Sequence, residues 1–154
     1  SKAMGTSGGY VAATNSLKNY LINFSKAFIF TTAQPPAIAA ATSTAIQIIQ
    51  NEPTCRHRLW ENRDFLYSEL KNMGFQFTNT QSPILPIMVK SAEKALKMSQ
   101  ALYKAGIYAP AIRPPTVPKE SSRLRITVSS EHSKEQLQYA TKIIKNSGEK
   151  LFLI

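Results

Sequence analysis

Sixteen consecutive residues, PPAIAAATSTAIQIIQ at 35–50, carry no charge and mostly small, apolar side chains. The tandem proline is placed to open a helix, where a missing N–H is harmless and a fixed φ helps. A helix that is apolar on all sides needs cover on all sides. The rest of the first fifty residues offers little of it. GTSGGYVAA (5–13) mixes small residues with a short β-prone run. Leu17, Tyr20, Leu21 and Phe24 recur at helical spacing behind Asn15 as N-cap, and FIFTT (28–32) reads as a short strand or extended segment. These elements cannot bury one another, so the segment reads as the end of a larger domain.

Asn51-Glu52-Pro53 breaks the apolar helix, and a third helix is expected over 54–72 with Leu59, Leu66, Leu70 and Met73 on one side. Its charged residues, Arg56 to Glu69, read as a solvated face. From Gln76 the texture changes. ILPIMV (84–89) reads as a strand, 91–106 as a helix with a glycine stop, and IYAPAI (107–112) as a second strand. After the proline-rich RPPTVPKESS comes RLRITVS (123–129), with the alternation of a half-buried strand. Ser133 and Gln136 have capping-box spacing and open a last helix that Gly148 is expected to stop. The order β-α-β-β-α describes a small α+β unit with a sheet on one side and helices on the other.

The net charge of +10 raises the question of nucleic acid, and its distribution answers it. Residues 1–51 hold three lysines and no acid, residues 52–110 eight basic and five acidic side chains, and residues 111–154 eight and four. A nucleic-acid binder concentrates such charge on one face or helix. Here the excess is spread, which suits anionic small molecules. The single Cys55 gives no internal disulfide and fits a reducing compartment, so the expected location is the cytoplasm. No apolar, uncharged run reaches the eighteen or so residues of a membrane span, and no secretory signal is evident. His57 and His132 share no ligand spacing with Cys55, so no metal site is expected.

Alternation puts Arg123 and Arg125 on one face of their strand, where two planar guanidinium forks suit carboxylate or phosphate. Spacing alone also allows a solvent-facing pair. Arg113 precedes Pro114 and Pro115, which restrict it to extended backbone and aim its side chain; with Thr116 it forms a stiff loop suited to an anion. Lys2, among small residues with no acid nearby, is by composition a surface lysine.

Read together, SKAMGTSGGYVAA (1–13), YLINFSKAFIFTTAQPPA (20–37), AIRPPTVP (111–118) and RLRITVSSEH (123–132) resemble the α-oxoamine synthases. These are pyridoxal-phosphate enzymes of fold type I, and the likeness runs through nearly the whole chain. Within the family, AIRPPTVP is similar to the branch that condenses L-alanine with a pimeloyl thioester, on coenzyme A or a carrier protein, in biotin synthesis. The resemblance implies an α/β architecture: residues 1–52 end the cofactor-binding large domain, 53–76 form a connecting helix, and 77–154 are the small C-terminal α+β domain. It implies that Lys2 is the lysine bonded to pyridoxal 5'-phosphate, preceded by a small residue that Ser1 matches. Thr31 and Thr32 would reach the cofactor phosphate of the partner subunit, making the site a feature of a homodimer. Arg125 would hold the amino-acid carboxylate, with Thr116 and Arg113 facing substrate. Ser121-Ser122 departs from the Gly-Thr often found before RLR. The remaining cofactor ligands would lie upstream of Ser1, so this piece is expected to be inactive alone. Two other readings stay open: another α-oxoamine synthase, such as a glycine C-acetyltransferase, and a non-catalytic anion-binding α+β domain.

Overall fold

The computed structural model describes residues 2–78 and 80–154. Ser1, matched above to the small residue before the lysine, lies outside them. The chain divides into two compact units, Ser1–Pro53 and Thr54–Ile154.

The described residues of the first unit form three helices and an irregular lead. A turn closes from the Gly5 N–H to the Lys2 carbonyl at 3.3 Å, with Gly5 at φ +61°, a backbone region that glycine enters without a Cβ clash. No strand forms over residues 5–13. Helix α1 spans Asn15–Phe24, and its cap is Thr14 rather than Asn15: the Thr14 hydroxyl accepts from the Leu17 N–H. Helix α2 spans Lys26–Ile29 and takes in Phe28 and Ile29, the start of FIFTT, which reads as a short strand or extended segment. The correction has a physical cause. β propensity is realised only against a neighbouring strand, and the first unit has none among its described residues. The Ser25 carbonyl instead accepts from the N–H groups of Phe28 and Ile29, and the Thr31 hydroxyl donates back to the Ala27 carbonyl. Helix α3, Pro36–Asn51, opens on the tandem proline as expected. Thr42 Oγ1 donates to the Ile38 carbonyl and lies 2.9 Å from Thr6 Oγ1, tying the lead to α3. None of the described residues in this unit is buried, and Tyr10 and Phe30 are more than 80% exposed.

The second unit has a core of its own. Helix α4, Pro53–Asn72, contributes Leu66 and Leu70 to it, with Leu59 and Met73 partly buried against it. Strand β1 (Ile84–Lys90), helix α5 (Ala92–Lys104), strands β2 (Ala111–Ile112) and β3 (Ser122–Thr127), and helix α6 (Lys134–Lys150) complete the β-α-β-β-α order. The sheet is antiparallel in the order β1-β3-β2, and α5 packs on all three strands and on α6. Leu85, Ile87 and Val89 of β1 and Leu124 and Ile126 of β3 supply its buried face. Ser91 caps α5, and Ser133 and Gln136 form the capping box of α6.

Two boundaries differ from the sequence reading. Only Ala111 and Ile112 of IYAPAI pair as a strand, because Ser99 Oγ on α5 donates to the Ala109 carbonyl and holds that stretch to the helix. Gly148 does not stop α6, which continues to Lys150; it is buried inside the helix. Among the described residues no helix is long and apolar enough to cross a membrane.

Candidate active site

The sequence-derived site residues fall in both units. Lys2 is exposed at the start of the Lys2–Gly5 turn, with its carbonyl engaged in that turn. Thr31 and Thr32 follow α2, both exposed. Their hydroxyls are not equivalent. The Thr31 proton is committed to the Ala27 carbonyl, so Thr31 presents lone pairs outward. Among the described residues Thr32 Oγ1 makes no such bond to a carbonyl, which leaves its proton available to an anion.

In the second unit, Arg113 and Thr116 share one turn, closed by the Thr116 N–H on the Arg113 carbonyl at 3.0 Å. The Pro114–Pro115 bond within it is cis. Arg113 Nη1 donates to the Pro114 carbonyl at 3.1 Å, and Arg113 and Thr116 are exposed. Arg125 is fixed through its backbone: it pairs with Pro86 of β1, and its N–H donates to the Pro110 carbonyl at 3.0 Å. Leu124 and Ile126 on either side are buried, so Arg125 and the half-buried Arg123 take the opposite face, as alternation predicts. Arg123 Nε donates to the Ser121 carbonyl at 3.0 Å. Ser122, one of the two serines that depart from Gly-Thr, is 1% exposed, and its hydroxyl finds no partner among the described residues.

Arg125 also lines a cavity of about 650 Å³ beside the end of β3, with Pro110, Thr127, His132 and Gln136 around it and Leu66 and Ile144 among its apolar walls. Arg113 and Thr116 do not line it. His132 and Asn62, which meets the same turn from α4, went unremarked as site residues in the sequence. The pair is 70 residues apart, and no local pattern announces it. The perturbed carboxylates lie elsewhere: the Lys97 ammonium beside Glu93 and the Ser133 hydroxyl beside Glu135 hold each below the usual carboxylate range. Among the described residues no group of three His, Cys, Asp or Glu side chains is placed to hold a metal.

Comparison with known proteins adds family to geometry. The model of the aminotransferase class I and II family matches residues 1–144. The 8-amino-7-oxononanoate synthase of Lysinibacillus sphaericus is 42% identical over 154 residues, all of this chain and 40% of that protein. Among solved structures, a serine palmitoyltransferase from S. paucimobilis carrying a PLP–myriocin adduct superposes with a TM-score of 0.89 at 32% identity, over 98% of this chain and 38% of that one. The 8-amino-7-oxononanoate synthase of Francisella tularensis superposes with a TM-score of 0.77 at 27% identity, over 90% and 41%. The chain spans about two-fifths of the length of the curated relatives it matches.

Proposed function

The chain belongs to the aminotransferase class I and II family, and on that footing we propose that it is the C-terminal portion of an 8-amino-7-oxononanoate synthase. The enzyme would be a homodimer that condenses L-alanine with a pimeloyl thioester, releasing carbon dioxide and the thiol. The observation that carries this reading is that the whole chain, rather than a motif within it, is 42% identical to a curated relative of that name. The bare apolar surface of the first unit, with no buried residue among those described, supports its assignment to the end of a larger cofactor-binding domain. The second unit, with its own core, corresponds to the small domain.

The donor set fits pyridoxal phosphate. An exposed lysine amine at position 2 suits its carbonyl carbon, and the Thr32 hydroxyl, uncommitted to the backbone, suits its phosphate. When bound, the cofactor supplies an electron sink for charge developing at the substrate α-carbon. The protein's own residues do the rest. Lys2 Nζ, as a free amine, takes the α-proton of the amino acid. The Arg125 guanidinium holds the carboxylate through two parallel N–H···O bonds, fixing which α-bond is presented. Arg113 and Thr116, on a turn stiffened by two prolines, face substrate.

A second reading, another α-oxoamine synthase, is favoured by the closer superposition on the serine palmitoyltransferase, 0.89 against 0.77. Turnover by the full-length protein separates the two. Alanine with pimeloyl thioester is the expected pair; a strong preference for glycine or serine, or for a long-chain acyl thioester, would overturn the biotin assignment.

A further inference from the structure

Strand β3 is supported unevenly along its length. Up to Arg125 it is flanked on both sides, by β1 through the Pro86 pairing and by the Pro110 carbonyl on the other. Beyond Arg125 the β1 side continues, with Leu85 opposite Ile126, Ile84 opposite Thr127 and the Val128 N–H on the Pro83 carbonyl. On the other side the cavity opens. Besides β1, that end of the strand is held by the turn that follows it.

Among the described residues two side chains of α4, Asn62 and Arg58, reach the turn. Asn62 Nδ2 donates to the Ser129 carbonyl at 3.0 Å and to the His132 carbonyl at 2.9 Å. Both acceptors are carbonyls, so the amide nitrogen must face them, and both of its hydrogens are used. Within the turn, the Ser129 N–H donates to His132 Nδ1 at 3.2 Å and the Glu131 N–H to Ser129 Oγ at 3.2 Å. Asn62 lies one helical turn before the fully packed Leu66, so its own backbone is anchored in the core. The other tie, Arg58 to Glu131 at 3.2 Å, joins two exposed side chains and is worth little.

We propose that Asn62 is a positioning residue for amino-acid binding: by clamping the turn after β3 it fixes the strand that carries Arg125. The inference rests on the reading of Arg125 as the carboxylate holder. From Arg125 to Ser129 is about 13 Å of extended chain, and a strand seated through Leu124, Ile126 and Val128 transmits a shift at its end as a tilt.

The test uses the full-length protein loaded with pyridoxal phosphate. Asn62→Asp keeps the shape of the side chain but sets a carboxylate against two carbonyl oxygens. The dissociation constant for the amino acid is expected to rise about tenfold, with cofactor affinity and the KM for the acyl thioester unchanged. In an Arg125→Ala background the same substitution is expected to have no further effect on amino-acid affinity, since it acts through the lost guanidinium. Asn62→Ser, which keeps a shorter donor and disturbs folding less, should show about a threefold rise with the same dependence on Arg125. Unchanged amino-acid affinity in the Asn62 variants, or an equal loss with Arg125 already removed, would overturn the inference alone. Unchanged affinity in Arg125→Ala itself would overturn the carboxylate reading and this inference with it.

Discussion

Gly148 of α6 lies against the ring of Phe75 so closely that a Cβ at position 148 would stand 2.5 Å from Phe75 Cζ and 2.8 Å from Cε1. The contact joins the last helix to the segment leaving α4, and Phe75 is itself 2% exposed. It closes a core that runs continuously through α4, β1, α5, β3 and α6.

That core predicts independent folding of the second unit. Residues 54–154, expressed alone, should unfold in one cooperative transition, while residues 1–53, with no buried side chain among those described, should show none. Circular dichroism during urea titration checks both. A non-cooperative 54–154 piece would mean that its core depends on the rest of the protein.

Gly148→Ala in that piece should lower stability by about 1–3 kcal/mol through overpacking. At an exposed helical site the same change would add up to about 1 kcal/mol. The clash decides the sign, because the ring is buried and cannot swing into solvent. Phe75→Leu, which vacates the ring space, should recover part of the loss in the double variant. Urea midpoints of the three proteins check it.

Gly148 also shows where the sequence was legible and where it was not. A glycine near a helix end reads as a stop, and nothing local reveals a ring lying against it from 73 residues earlier. The RLRIT alternation and the Ser133–Gln136 box were legible because period and capping are local. FIFTT forms no strand because its strand-forming residues meet no neighbouring strand among the described residues, while the Ser25 and Ala27 carbonyls accept locally. Of the candidate site, the arginines drew notice by type and setting, while Lys2 reads as a surface lysine by composition and takes its expected role only from the family resemblance. Asn62 did not, since both of its partners are backbone atoms 67 and 70 residues away.

The unequal hydroxyls of Thr31 and Thr32 make a direct prediction for the cofactor. Thr32→Ala should weaken pyridoxal-phosphate binding by the full-length protein about tenfold, the loss of one hydrogen bond to a charged group. Thr31→Ala should weaken it by less than about threefold, because that hydroxyl already donates to Ala27. Equal losses, measured by cofactor titration, would show that the Thr31 hydroxyl turns outward when the phosphate arrives.

Arg125→Lys keeps the charge and loses the planar fork. Its kcat/KM for the amino acid should fall roughly 100-fold, about 3 kcal/mol. The KM for the acyl thioester should hold. Steady-state kinetics with each substrate varied in turn would expose the opposite pattern, which would move Arg125 to the acyl side.

The most direct test of the whole account concerns Lys2. The full-length protein isolated with pyridoxal phosphate is reduced with borohydride, digested, and its peptides mapped by mass spectrometry. The account predicts a pyridoxyl group on Lys2 and on no other lysine. A labelled protein with Lys2 unmodified would contradict it, leaving Lys2 the surface lysine that its composition describes.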